Sequence, residues 1–155
     1  KLLITPAKSK VQILRDKIQR LIHAALGLTQ EALLRQLNPL LRGWANYFGL
    51  AEVKGVFEEL DGWVRRKLRC GQWRQWKRPW TRHQRLRQLG FTAERARMSA
   101  WNGRGPWWNA GAKHMHLAMP KKFFDALGLV SLLDHLHQLQ RCSRTAVYGT
   151  VRTVV

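Results

Sequence analysis

Apolar residues recur every three or four positions through most of this chain, and that spacing restricts it to helices that each bury one face. Val11, Leu14, Ile18, Leu21, Ile22 and Ala25 form the first stripe, with Ser9 as its expected N-cap and Gly27 just beyond its end. Thr29 is suited to cap a second helix carrying Leu33, Leu34 and Leu37. The pair Asn38-Pro39 predicts a break, because a residue before proline is biased away from helix while proline fits the first turn of a new one. The restarted helix places Leu41, Trp44 and Phe48 on one face and ends near Gly49. Val53, Val56, Phe57, Leu60, Val64 and Leu68 make a third long stripe. Shorter helices follow: a basic one from Pro79 to Gly90, one capped by Thr92 that stops at "NGRGP", and a final pair around Gly128. That pair is marked by Phe123, Phe124 and Leu127, then Leu129, Leu132, Leu133 and Leu136. The opening "KLLIT" reads as the end of a strand, and the tail "SRTAVYGTVRTVV" is left unassigned. The fold class is therefore mainly α.

A chain of 155 residues that is 45% hydrophobic and holds eight Trp has enough apolar surface for a real core. Charge says what lies outside it. Twenty-eight Lys and Arg stand against nine Asp and Glu, a formal net charge of +19. The excess concentrates in "RRKLRCGQWRQWKRPWTRHQRLR", residues 65–87, which holds ten Lys or Arg, three Trp and no acid. Cations at a helix C-terminus gain only about 0.3–1 kcal/mol each from the helix dipole. Ten in succession therefore point to an external polyanion. Cations for phosphates and flat rings for bases are the two features that nucleic-acid grooves combine. An amphipathic membrane helix would need an unbroken aliphatic face, which Gln72, Gln75, Pro79 and Gln84 interrupt. No apolar run approaches the length of a membrane span, so no membrane partner is expected.

Arg65, Arg66, Arg69, Arg74, Lys77 and Arg78 are the candidate phosphate contacts, with Arg42 and Lys54 as further cations. Trp73 and Trp76 are the candidate stacking residues. Trp44, Tyr47 and Phe48 have helical spacing that favours core packing. The pairs His114/His116 and His135/His137 lack a partner at a recognised metal-ligand spacing, so no metal site is assigned. The acidic residues are too scattered for a two-metal centre, and neither a phosphate-binding glycine loop nor a nucleophile elbow is present. No catalytic residue and no cofactor are expected. Cys70 and Cys142 form no disulfide framework, which fits a reducing compartment.

The stretch "LNPLLRGWANYF", residues 37–48, resembles the maturase-specific, or X, region of group II intron-encoded reverse transcriptases. "ITPAKSKVQILRDKI" resembles the lead into that region and "FEELDGWVRRKLR" the helix after it. "NGRGPWWNAGAKHM" at 102–115 and "FFDALGLVSLLDHL" at 123–136 are similar to the C-terminal region of bacterial members. The resemblance implies a three-helix thumb in residues 1–78, a smaller loop-rich, basic, DNA-binding-like region in 79–142, and a tail at 143–155. It also implies a function: binding group II intron RNA, assisting its folding for splicing, and acting as the thumb of a parent RNA-directed DNA polymerase. The expected partners are intron RNA, target DNA and an upstream palm domain, in the bacterial cytosol or nucleoid. The palm's Y-x-D-D carboxylates, which hold Mg²⁺ in the family, are not in this sequence, so this piece is expected to be no enzyme itself. The first residue, Lys1, reads as a point inside a longer protein. Two other functions compete with RNA folding: a module that binds target-site DNA, and a metal-dependent nuclease.

Overall fold

A computed structural model describes residues 7–48 and 54–151, with side-chain environments through residue 146. The described residues form nine helices and no strand, a mainly α fold. Three long ones come first: α1 (Lys8–Ala24), α2 (Gln30–Tyr47) and α3 (Lys54–Gln75). Then come α4 (Pro79–Gln88), α5 (Ala93–Ala100), α6 (Pro106–Gly111), α7 (Lys113–Ala118), α8 (Lys121–Leu127) and the long α9 (Leu132–Val151). The "KLLIT" stretch, Gly49 and Val53 lie outside the described residues.

The apolar stripes do what their period requires. Leu14 and Ile18 of α1, Leu37 and Leu41 of α2, and Phe57, Leu60 and Val64 of α3 are all buried in one cluster. Helix α1 packs on α2 and α3, α9 lies against α2 and α3, α6 lies on α3, and α4 pairs with α5. The joint between α3 and α4 falls at residues 76–78, yet the apolar core runs on across it. Leu86, Ala96, Met115, Phe124, Leu132 and Leu136 belong to the same buried cluster as Leu14.

Two local expectations need correction, and the unassigned tail takes a definite structure. The first concerns Pro39, which does not end a helix but sits inside an unbroken α2. A proline in a helix interior costs about 3 kcal/mol through its missing N–H and ring clash. Leu37 and Leu41 on either side are 0% and 1% exposed, and each fully buried Leu gains about 1.5–3 kcal/mol, enough to hold the helix through the proline. Ser9 is likewise no cap: it lies inside α1, whose N-cap is Ala7, without a side-chain hydrogen bond. Thr29 does cap α2, accepting from the Ala32 amide at 3.3 Å. The tail, finally, is helical through Val151 as part of α9. Polar residues there close their hydroxyls onto their own helix, Ser143 Oγ donating to the Leu139 carbonyl and Thr145 Oγ1 to the Arg141 carbonyl, both at 3.0 Å.

Two polar side chains tie the C-terminal helices to the first three. Asn38 Nδ2 donates to the Gly128 carbonyl at 2.8 Å while its Oδ1 accepts from the Val130 amide at 3.0 Å. Asp61 of α3, only 7% exposed, accepts from the Leu132 amide (2.8 Å), the Leu133 amide (3.0 Å) and Ser131 Oγ (2.8 Å). A carboxylate thus satisfies the free amides at the start of α9 from another helix, where the helix dipole favours negative charge. Between these two anchors, Gly128 takes φ +92°, the left-handed conformation that lets α8 end and the chain reverse.

Candidate nucleic-acid interface

The basic run divides by the face of α3 and α4 on which each residue falls. Leu60, Val64, Leu68 and the Trp73 ring line the buried side of α3, so residues at matching helical positions are drawn inward whatever their charge. Arg69 is one of these, 3% exposed, with its Nε donating to the Met119 carbonyl at 2.9 Å and its guanidinium 5.5 Å from the Phe124 ring. Burial, and then the neighbouring positive charge of Arg65, lowers its pKa to about 10. Arg69 is a structural strut and not an open phosphate contact.

Arg66 is half-buried. Its Nη2 donates to the Trp107 carbonyl at 2.9 Å and its guanidinium lies 3.9 Å over the Trp107 ring. A Cβ placed on Gly111 would come within 2.8 Å of the same guanidinium, so the glycine lets α6 approach α3. Arg65 is half-buried without a described polar contact. Lys67 spans two indoles, 4.9 Å from Trp107 and 5.4 Å from Trp63.

Trp73 and Trp76 are 1% and 4% exposed. The stacking role expected of them does not fit this placement, since no ring face is open to a base. Their rings pack 6.3 Å apart, and Arg82 closes over them, its guanidinium 4.6 Å from the Trp73 ring and its Nε donating to the Trp76 carbonyl at 2.8 Å. Burial lowers the Arg82 pKa.

Arg74, Lys77 and Arg78 remain exposed. Arg74 and Lys77 line a shallow open basin of about 630 Å³ together with Leu26, Leu28, Thr29 and Gln75. Its floor is fixed by Gln75 Nε2, which donates to the Leu28 carbonyl at 3.3 Å and holds the α1–α2 turn against the end of α3. Arg78 follows as the N-cap of α4. Arg42 is exposed on α2 and Lys54 at the start of α3. Twenty helical residues separate Lys54 from Arg74, roughly 30 Å, so the expected cations do not converge on one point but spread along a surface. The described ion pairs are Arg15–Glu59, Lys121–Asp125 and Lys121–Asp134. Among the described residues, then, no cation of 65–87 has a carboxylate partner.

Sequence reasoning missed the polar knot beneath "NGRGPWWNAGAKHM". Asn109, fully buried, donates through Nδ2 to the Arg104 and Gly105 carbonyls (3.0 Å each) and to Asn102 Oδ1 (3.1 Å). Its Oδ1 accepts from Asn102 Nδ2 at 2.8 Å and lies 2.9 Å from His114 Nε2. A donor is needed there, so His114 carries its proton on Nε2. Packing between Trp73 and Trp108 buries the imidazole, which lowers its pKa. Asn-Gly and Gly-Pro steps mark the turn in the sequence, but nothing in the spacing foretells which amide turns inward.

His135 Nε2 lies 2.8 Å from Asn46 Oδ1, and among the described residues no three His, Cys, Asp or Glu side chains converge to hold a metal. Cys70 is buried and Cys142 exposed, both as free thiols. No described helix is long and apolar enough to cross a membrane.

These features define a mainly helical, strongly cationic module whose polar interior is spent on joining helices. The group II intron, maturase-specific domain family matches residues 11–90, and the chain belongs to that family. The matched span takes in most of α1 and all of α2 to α4, including "LNPLLRGWANYF" and the entire 65–87 run, while residues 1–10 and 91–155 lie outside it. No curated protein matches the chain significantly. Membership gives the chain a group II intron maturase role in splicing, and the domain by itself is not catalytic.

Proposed function

We propose that this chain binds group II intron RNA along its outward cations and thereby helps the RNA adopt its splicing-active fold, the chemistry of splicing staying with the RNA. Arg74, Lys77 and Arg78 neutralise phosphates at the α3–α4 joint, and Arg42 and Lys54 extend the contact across α2 and α3. The observation that carries this reading is charge without internal use: these cations are exposed, and no Asp or Glu occurs between Gly62 and Ala93. Neutralising phosphates releases condensed counterions, and folded RNA is read through its backbone shape. In the parent protein we place α1 to α3 as the thumb beside an upstream polymerase palm, in the bacterial cytosol. The palm would hold the Mg²⁺ of polymerisation. The residues described here do not fit that ion, because no carboxylate cluster forms among them.

The test is a salt titration. Log affinity for structured intron RNA falls linearly with log salt, and each phosphate contact removed lowers the slope by roughly 0.7–0.9. Arg74→Gln, Lys77→Gln and Arg78→Gln together therefore weaken binding and flatten the slope by about two units. An unchanged slope sinks the reading, and preferential binding of duplex DNA at the same salt replaces RNA with target-site DNA as the partner.

A further inference from the structure

Two indoles that the core does not need stand on the α4–α5 pair. Trp80 is 60% exposed and Trp101 51% exposed, although both are large apolar side chains. They are nonetheless held in place. Trp80 stacks on His83 one turn later, with centroids 5.4 Å apart and planes within 10° of parallel. His83 also meets Trp101, at 5.7 Å and 58°. The same imidazole reaches from α4 to α5, its Nε2 lying 3.3 Å from the Ala93 carbonyl. Three rings, two from α4 and one from the C-cap of α5, are thus held together as one platform, with both indoles more than half exposed.

The surroundings say what those faces suit. From Arg78 to Arg104 the chain carries seven Arg against one acid, Glu94. Exposed Arg97 sits one helical turn before Trp101, on the same face of α5. A protein partner seated on the rings would have to desolvate those guanidiniums, whereas a nucleic-acid strand brings phosphates to them. Flat rings in a cationic field are how single strands are held, because every base has a stacking face.

We propose that the Trp80–His83–Trp101 platform binds unpaired bases of single-stranded RNA, the indoles taking the bases and Arg97 a flanking phosphate. The choice of RNA rests on the function proposed above. The stacking itself does not, and none of its three rings lines the Arg74–Lys77 basin. A chain that grips backbone there and an unpaired base here engages a junction between folded and single-stranded RNA.

The experiment uses the full 155-residue chain and a short unstructured oligouridylate followed by fluorescence anisotropy. Trp80→Ala and Trp101→Ala each weaken binding roughly 5- to 100-fold at every salt concentration and leave the salt slope unchanged. Trp80→Phe retains most of the affinity. An abasic oligonucleotide of the same length binds the wild-type chain no better than the oligouridylate binds Trp80→Ala. Both indoles are more than half exposed, so circular dichroism and Tm stay near wild type. Equal binding of abasic and base-bearing strands overturns the proposal, as does an unchanged affinity in both Ala variants. Tighter binding of oligothymidylate than of oligouridylate overturns the assignment to RNA. If structured RNA binds with a steep salt slope while abasic and base-bearing strands are not distinguished, only the platform fails. If the chain binds neither strand nor structured RNA, the proposed function fails with it.

Discussion

The second half of α3 and the α4–α5 pair are built from the same materials, arginine and tryptophan, and use them in opposite ways. In α3 and just past its end the rings of Trp73 and Trp76 are buried, Arg69 is sealed against the Met119 carbonyl, and Arg66 is pinned to Trp107. In α4–α5 the rings of Trp80 and Trp101 face water, as do Arg85, Arg95 and Arg97. The difference comes from neighbours. Helix α3 is surrounded by α1, α6 and α9, so most of its circumference is interior, whereas α4 and α5 mainly cover each other. A guanidinium has an apolar, polarisable face and a rigid fork of donors, so it can be buried where carbonyls are free to accept from it. Composition therefore reports how much cation a segment holds, not how much of it a ligand meets.

Trp73→Ala is the largest test of that contrast. Removing a fully buried indole should cost about 3–5 kcal/mol and lower Tm steeply in a thermal melt. Trp80→Ala, by comparison, should leave Tm almost unmoved. Equal losses of stability in the two variants would erase the distinction. Asp61→Ala comes next, since it strips the start of α9 of three hydrogen bonds and leaves buried amides unpaired. A loss of about 2–4 kcal/mol is expected, with hydrogen exchange quickening first at Leu132 and Leu133. Protection unchanged at those amides would show that Ser131 alone suffices as the cap.

The helices, their buried stripes and the fold class were legible because they rest on a period of three to four that no partner can alter. Leu14, Leu37, Phe57 and Leu136 all fall inside as that period requires. What was illegible depends on contacts distant in sequence. Pro39 reads as a break because its local cost is visible, while the burial of Leu37 and Leu41 in the shared core is not. Trp73 and Trp76 looked like stacking residues because their basic neighbours were visible and the closing Arg82 was not. The Asp61 cap on α9 joins residues about seventy apart, and the sequence shows it only as one of three acids, with Glu58 and Glu59, in the first half of α3.

Arg69→Met should separate structural from binding arginines more finely. The Met side chain fills much of the volume but leaves the Met119 carbonyl without its donor, which should cost about 1–3 kcal/mol. Binding of structured RNA by the folded variant should keep its wild-type salt slope, because a side chain 3% exposed releases no counterions. A slope reduced by as much as for Arg74→Gln would move Arg69 back to the surface.

The smallest effect expected is in pH dependence, and it tests the polar knot under the 102–115 turn. Burial holds the His114 pKa below its ordinary value, so the folded state keeps the imidazole neutral while the unfolded chain protonates it near pH 6.5. The unfolded state then binds more protons, and stability falls as pH drops through that range toward the lower folded value. Above about pH 7 the contribution is fully present. His116 is lowered as well, by burial and then by Arg69, Arg65 and Arg66, so it supplies a background that a His114 variant leaves in place. His114→Gln keeps a donor for Asn109 Oδ1 without a titrating ring. Its urea midpoint should change less between pH 7.5 and 5.5 than that of the wild type, with the two proteins closest at the acidic end. An identical pH dependence in both would mean that the imidazole protonates inside the fold as readily as outside it. The Asn102–Asn109–His114 knot would then be open to water.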